Sequence, residues 1–310
     1  MPKQNKASKR TPAQPKKAQP KKALPKSQAQ PKQAAKRAAQ PKKAPKQRQA
    51  LSAATCDRHD LYERSVQDPD AEIELIERWS KKLCGAPARS LREDFCGTAL
   101  LSTRWVASHP SRTATGVDLD PKVLASGRRR HVAELGEAAA RLTLLEDDVR
   151  TRRAERFDVV CAYNFSYWIF TDRRALLDYF RSVHGSLAQG GLFTLDAYGG
   201  TEAMSVQEEP RQVKGGFTYV WDQATFNPID HRVVNHIHFR FKDGTALERA
   251  FTYAWRFWTL PELRELLEEA GFSHVEVYWD VASDEDDTSY RPRKVVDNQP
   301  AWVCYLVARR

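Results

Sequence analysis

The chain has 310 residues with 50 Lys+Arg against 40 Asp+Glu, a formal net charge of +10. The excess sits at one end: residues 1–50 hold 16 basic and no acidic residues, leaving 34 basic against 40 acidic elsewhere, a net of −6. The high isoelectric point therefore does not report a basic nucleic-acid-binding face on the folded part, and no apolar run approaches the roughly 20 residues that span a bilayer.

The basic segment repeats Gln-Pro-Lys-Lys-Ala at 14–18, 19–23 and 40–44, and it has one leucine, Leu24, and no aromatic ring. Nothing there offsets the entropy of ordering, so residues 1–52 are expected to be a disordered tail with local polyproline II character. A secretory signal is excluded by the lack of an apolar core segment. An organelle transit peptide would be richer in Ser and Arg, so a cytoplasmic location is favoured. The tail resembles the Lys/Ala/Pro-rich tails of linker-histone-like proteins, which implies loose, salt-sensitive, non-specific contact with DNA or RNA and hence nucleoid or nuclear association. A solubilising extension without a partner is the other reading. Five cysteines (56, 84, 96, 161 and 304) have no C-x-x-C spacing, which fits reduced thiols and neither a disulfide frame nor a metal site.

Order is expected from Asp57, and residues 53–310 read as one domain. Ile73, Leu75, Ile76, Trp79 and Leu83 form the apolar face of a helix over about 70–83. A strand over 88–95 runs into the small-residue turn Cys96-Gly97-Thr98-Ala99, and an apolar helix follows from Leu100. Strand, tight turn and helix is the geometry that offers backbone N–H groups to a bound cofactor. A second strand, 113–118, ends at Asp118, and Asp120-Pro121 opens the next helix as N-cap and first helical residue. Asp118 has no such structural explanation. It stands 21 residues past Gly97, where doubly wound sheets place the acid that binds ribose hydroxyls; a solvated loop acid is the alternative. Further strands are expected over 141–145, 157–163 and 192–195, with a helix over 173–187 closed by Gly190-Gly191. Alternating strands and helices with short links give a parallel α/β sheet. Between 201 and 258 the periodicity switches to two or three antiparallel strands rich in aromatic and β-branched residues. A last helix over 260–270 and strands over 275–279 and 301–308 complete the chain.

In this order the signals resemble the class I S-adenosylmethionine-dependent methyltransferases over about 57–310. The family's acidic-x-Gly-x-Gly-x-Gly loop falls on Glu93, Phe95, Gly97 and Ala99, so only the central glycine survives; Cys96-Gly97-Thr98 is a common form of that turn. The resemblance implies a Rossmann-like, doubly wound, mostly parallel seven-stranded sheet with an antiparallel insertion on the substrate side, and S-adenosylmethionine as cofactor. Asp118 falls on the ribose-binding acid with Leu119 beside it, Asp148-Val149 on the adenine-binding pair, and Asn164 beside the reactive methyl. Tyr62 and Arg64 resemble the N-terminal lid residues of small-molecule methyltransferases, which implies a hold on the cofactor carboxylate.

The insertion resembles the roof of the acceptor pocket in small-molecule N- and O-methyltransferases. Its aromatic wealth suits an amine or cationic acceptor, although aromatics also favour strands for packing alone. His236 and His238 share one strand face, opposite Asn235, Ile237 and Phe239. A neutral imidazole, His236 in the first place, could take the acceptor's proton; a structural histidine is the other reading. A zinc pair is disfavoured because the sequence shows no third ligand, so no metal is expected. Asn164-Phe165-Ser166-Tyr167 carries the Asn and aromatic ends of the Asn-Pro-Pro-Tyr-type motif of amino-methylating enzymes without its prolines, which makes Asn164 and Tyr167 catalytic candidates. The expected function is methyl transfer to a small, nitrogenous metabolite, with no membrane partner. The alternative is a methyltransferase of nucleic acid or of a nucleic-acid-associated protein, recruited by the tail; a vestigial, non-catalytic fold is the third reading.

Overall fold

The computed structural model describes residues 51–281 and 289–310; the expectation of a disordered tail falls, except for residues 51 and 52, outside the described residues. Helix α1 (Arg58–Val66) starts where the Asp57 carboxylate accepts the N–H groups of His59 and Asp60. Helix α2 (Pro69–Cys84) has Asp68 as N-cap, proline in its first turn and Gly85 as a left-handed C-cap, and matches the expected helix closely. The α/β succession follows as β1 (Ser90–Asp94), α3 (Leu100–Ser108), β2 (Thr113–Asp118), α4 (Pro121–Arg130), β3 (Leu142–Glu146), β4 (Phe157–Ala162), α5 (Arg173–Ser186) and β5 (Leu187–Gly199). The C-terminal part adds α6 (Leu260–Glu269), β10 (His274–Asp280), β11 (Tyr290–Pro292) and β12 (Trp302–Arg309).

These strands form an eight-stranded sheet in the order β11-β10-β12-β5-β4-β1-β2-β3. The five strands from β5 to β3 run parallel, and β12 is antiparallel to both β5 and β10. The expected seven strands are present; the eighth, β11, is a three-residue edge strand. The chain reverses its direction of travel across the sheet between β1 and β4, and such a switch point opens a crevice at the strands' carboxyl ends. Successive β4 residues serve opposite layers. Val159 and Cys161 pack with Trp79, Leu101 and Trp105 of α2 and α3, and Val160 and Ala162 pack with Phe180 and Val183 of α5 and Leu266 of α6. Burial on both faces is why β4 reads as a continuous apolar run. Each large side chain buried this way contributes about 1.5–3 kcal/mol.

Two expectations need correction. The segment 201–258 folds as four antiparallel strands, not two or three: β6 (Gln207–Val213), β7 (Phe217–Phe226), β8 (Arg232–Phe241) and β9 (Ala246–Arg256), in that order. The strand without a sequence signal is β6, which is almost wholly polar and contains Pro210; it is an edge strand, where a missing N–H is tolerated. Gly190-Gly191 do not cap α5. Leu187 leaves the helix in an extended conformation and begins β5 at once, and the glycines lie in a register shift between β4 and β5. Leu61 of α1 packs against Phe217, Tyr219, Ile237 and Phe239, so the first helix rests on the inner face of the added sheet. Among the described residues no helix is long and apolar enough to cross a membrane.

Candidate functional site: a strained loop and two adjoining cavities

The turn after β1 holds a glycine's conformation at two positions that lack the glycine. Phe95, Gly97 and Ala99 all have positive φ, at 58°, 56° and 57°. These are the three glycine positions of the motif, and the left-handed region costs a residue with a Cβ about 1–2 kcal/mol. Ties from three directions hold the loop there. The Cys96 N–H donates to the Val117 carbonyl at 3.0 Å, the Gly97 N–H to Asp118 Oδ2 at 2.8 Å, and the Thr98 hydroxyl to Glu63 Oε1 of α1 at 2.6 Å. The Phe95 ring anchors the strained residue against Phe170 and Tyr179. Helix α4 comes so close that a Cβ on Gly127 would overlap the Thr98 carbonyl oxygen. At Gly97, by contrast, a Cβ would meet no atom within 4 Å, because this residue faces open space in a cavity of about 330 Å³.

That cavity is lined by Tyr62, Phe95, Gly97, Asp118, Asn164 and Tyr253, among others. Asp118 works on both of its oxygens, since Oδ1 accepts the Asp120 N–H at 2.9 Å while Oδ2 holds Gly97. Burial raises its pKa, against the effect of these N–H bonds. Each carboxylate oxygen keeps a second lone pair, so hydroxyl donors in the cavity can still be accepted.

Three supporting clusters left no signal in the sequence. Arg92, mid-strand in β1 and 1 % exposed, donates from Nε to Asp94 at 2.7 Å, from Nη1 to the Ser186 hydroxyl at 2.9 Å, and from Nη2 to the Val149 carbonyl. Tyr179 donates to the second Asp94 oxygen at 2.9 Å. Glu63, beside the expected lid residues, binds Thr98, Arg130 and His131 and so ties α1 to the loop. Asp196 of β5 accepts the N–H groups of Asn164 and Phe165 at 2.7 and 2.9 Å, and both residues have positive φ. The Asp196 carboxylate thus fixes the turn after β4.

Burial lifts Asp196 from 3.8 to about 7, and likewise lifts Glu93 from 4.5 to about 7. Below about pH 4 each group is protonated folded or unfolded; between there and about pH 7 mainly the folded chain keeps the proton. Their combined contribution is therefore full at low pH and lost as pH rises towards and through 7. Melting temperatures across this range should show the decline, and Asp196→Asn should make it shallower; an unchanged slope in the variant would contradict the assignment.

The residues singled out in the sequence divide into those the cavity gathers and those it does not. Tyr62, Phe95, Cys96, Gly97, Thr98, Asp118 and Asn164 line it. Arg64 does not: its guanidinium pairs with Asp60, reaches the Lys214 carbonyl and lies over the Phe217 ring, whereas Arg58 and His59 of the same helix face the cavity. Glu93 lies beneath the loop and accepts the Ser102 N–H and hydroxyl, so it positions the start of α3 and is not among the residues that line this cavity. Leu119 is 66 % exposed beside Asp118. The Asp148 carboxylate is held by Arg150 at 2.6 Å, and Val149 is buried with its carbonyl on Arg92. Tyr167 is fully buried and donates to the Asp196 carbonyl oxygen at 2.8 Å, which removes it as a catalytic residue. His236 is removed for a different reason. The alternation expected for β8 is present, but the face that meets the cavities carries Asn235 and Ile237; His236 looks the other way and pairs with Thr252 at 2.9 Å.

A second cavity of about 440 Å³ adjoins the first, for Asn164 borders one and Phe165 the other. Its walls include Phe165, Tyr198, Trp221 and Trp302, with the exposed carboxylates Glu202 and Glu209 at its open side. Tyr198 stacks on Trp168 at 4.6 Å and meets Trp221 edge-on at 6.1 Å. Burial pushes the Tyr198 phenol well above its ordinary pKa, so the group stays neutral.

The family model described as "Methyltransferase domain" matches residues 96–193, which run from the strained loop to β5. Over these residues the chain is similar to the methyltransferase domain family. The fold is similar to that of solved structures of low sequence identity. One is an S-adenosylmethionine-dependent methyltransferase from Clostridium acetobutylicum ATCC 824, at 15% identity and a TM-score of 0.61, covering 81% of this chain and 96% of that one. Another is CalS10, an amino pentose methyltransferase from Micromonospora echinaspora with S-adenosylmethionine bound, at 16% identity and 0.58, covering 81% and 95%. A third is the sugar N-methyltransferase KedS8 from Streptoalloteichus sp ATCC 53650, at 20% identity and 0.55, covering 84% and 94%. No curated protein matches the sequence. S-adenosylmethionine, bound in CalS10, is the cofactor that the resemblance implies. The residues present fit it: a loop whose central glycine opens into a cavity, and an acid at the end of β2 with lone pairs to spare.

Proposed function

We propose that this methyltransferase acts on a small molecule bearing an amine, which binds in the aromatic cavity beneath the added sheet. The observation that carries the reading is that cavity, with five aromatic residues in its walls and two carboxylates at its mouth, next to the turn that borders the cofactor cavity. Aromatic faces and carboxylates both favour a cationic amine, the rings by about 0.5–2 kcal/mol each. The descriptions of CalS10 and KedS8 as amino pentose and sugar N-methyltransferases support an amine.

In this reading Asp118 takes the ribose hydroxyls, Gly97 and Thr98 lie along the methionine portion, and Tyr62 closes the cavity from α1. Asp148 accepts the adenine amine on the oxygen sites that Arg150 leaves free. The cofactor supplies a methyl already activated by its sulfonium, so the chain's task is proximity and a deprotonated acceptor. An ammonium cannot attack, and Glu209 or Glu202 is placed to take its proton before transfer. Asn164, held by Asp196, faces the junction of the two cavities. The basic tail belongs to the proposal as a loose polyanion contact outside the chemistry, in a protein placed in the cytoplasm.

Calorimetry with S-adenosylmethionine and S-adenosylhomocysteine, followed by an amine and amino-sugar screen, tests the reading. Turnover should survive truncation at residue 53. Glu209→Gln and Trp221→Ala should each raise KM for the acceptor by about tenfold while leaving cofactor affinity unchanged. Cofactor binding without turnover on any amine, together with tail-dependent methylation of nucleic acid, would replace this reading with the alternative one. A folded domain that binds neither form of the cofactor would make the fold vestigial.

A further inference from the structure

His236 and His238 lacked a third metal ligand in the sequence; the added sheet brings two carboxylates to His238, while His236 pairs with Thr252. Glu208 of β6 stands directly opposite Asp222 of β7, and Asp222 stands opposite His236 of β8. His238 lies two residues further along the same face, turned away from both cavities. Its imidazole, the Asp222 carboxylate and the Glu208 carboxylate place one ligand atom each within 4.8 Å of one another. We propose that Glu208, Asp222 and His238 form a site for a divalent transition-metal ion of the Zn²⁺ type on the outer face of the added sheet.

The ligand set is right for such an ion: one imidazole and two carboxylates, a charge of −2 against +2, with room for water as a fourth ligand. The spacing is right as well. Tetrahedral bonds of about 2.0–2.1 Å separate ligand atoms by roughly 3.3 Å, and His238 Nε2 lies 3.2 Å from Asp222 Oδ2. The ring is buried and already oriented, because Nδ1 faces the Glu248 carboxylate and leaves Nε2 to Asp222. A carboxylate on the far nitrogen of a metal-binding histidine is the usual outer-shell device for fixing its tautomer. The Arg249 N–H donates to Nδ1 at 3.1 Å; an ion on Nε2 puts the ring proton on Nδ1, which then donates to Glu248 and gives up the bond from Arg249.

One cation competes. Arg240 binds Glu208 at 2.8 Å and lies 3.9 Å from Glu248, so an ion must displace it from Glu208. That exchange moderates the affinity. It also gives the ion a consequence, because Glu208 and Glu209 are neighbours on the edge strand β6 and face opposite sides. An ion held by Glu208 would clamp the strand that carries Glu209 to the acceptor cavity. Residues 1–50 contain no Asp, Glu, His or Cys, so the tail offers no competing side-chain ligand.

The test is calorimetry of ZnCl₂ into the full-length protein after chelator treatment, with Co²⁺ absorption as a second readout of tetrahedral geometry. One equivalent should bind in about the micromolar range, and Asp222→Asn and Glu208→Gln should each weaken it at least about tenfold, as should the loss of the outer-shell partner in Glu248→Gln. His238→Ala should abolish binding. If that variant fails to fold, the two near-isosteric carboxylate replacements decide. The proposal is overturned by absence of binding at 100-fold higher Zn²⁺ (about 0.1 mM), by undiminished binding in Asp222→Asn, or by binding that disappears in Cys84→Ser, the exposed thiol.

Discussion

Replacing Asp118 by alanine should weaken S-adenosylmethionine binding by at least about tenfold, or about 1.4 kcal/mol, in a domain that remains folded. The structure gives this residue two tasks. It offers lone pairs to hydroxyls in the cavity, and its Oδ2 holds the Gly97 N–H at the centre of a loop with three residues of positive φ. A hydrogen bond to a charged group contributes about 1.5–3 kcal/mol, and without it the strained loop loses one of three ties. Asp118→Asn keeps the volume and one acceptor and should fall between alanine and the parent. Calorimetry on both variants measures this; affinity equal to the parent's in Asp118→Ala would remove the ribose assignment.

The largest effect on stability is expected at Arg92. Its guanidinium, the Asp94 carboxylate and the Tyr179 hydroxyl are buried together between β1 and α5, with side chains 1 % and 0 % exposed in the ion pair. Removing one member of a buried pair leaves the other uncompensated, at a cost of about 3–5 kcal/mol. For a domain of this size that lowers the melting temperature by roughly 6–20 °C. Arg92→Met should show this loss, whereas the double variant Arg92→Met/Asp94→Leu should recover most of it, because the desolvation penalty of both charges is removed together. A single variant as stable as the parent would show that the pair is solvated. Arg92 also holds the Val149 carbonyl, so the single variant should lose cofactor affinity as well, measured below its melting temperature.

Local signals carried much of the architecture. Asp120 before Pro121 announced its helix, because capping needs only neighbours in the chain. The β4 run and the Asp118 position followed from burial on two faces and from chain order. The edge strand β6 had no apolar alternation to announce it. His236 was misassigned because a sequence gives a residue's period but not the side of the sheet on which a cavity lies, and Tyr167 because nothing in the sequence shows its hydroxyl buried against the Asp196 carbonyl.

The sequence by itself determined the α/β order, the acidic residue after β2, the turn at Gly97 and the charge division between tail and domain, since each is set by residues within a few positions of one another. Only the tertiary structure decided how Phe95 and Ala99 hold a glycine's conformation, that Arg92, Glu63 and Asp196 support the site, and that Glu208 and Asp222 join His238. Apart from Arg92 with Asp94, those partners lie 14 to 94 residues apart in the chain, in pairings such as Asp222 with Glu208 and Ser186 with Arg92. Register and burial bring them together, and neither is encoded in any one segment.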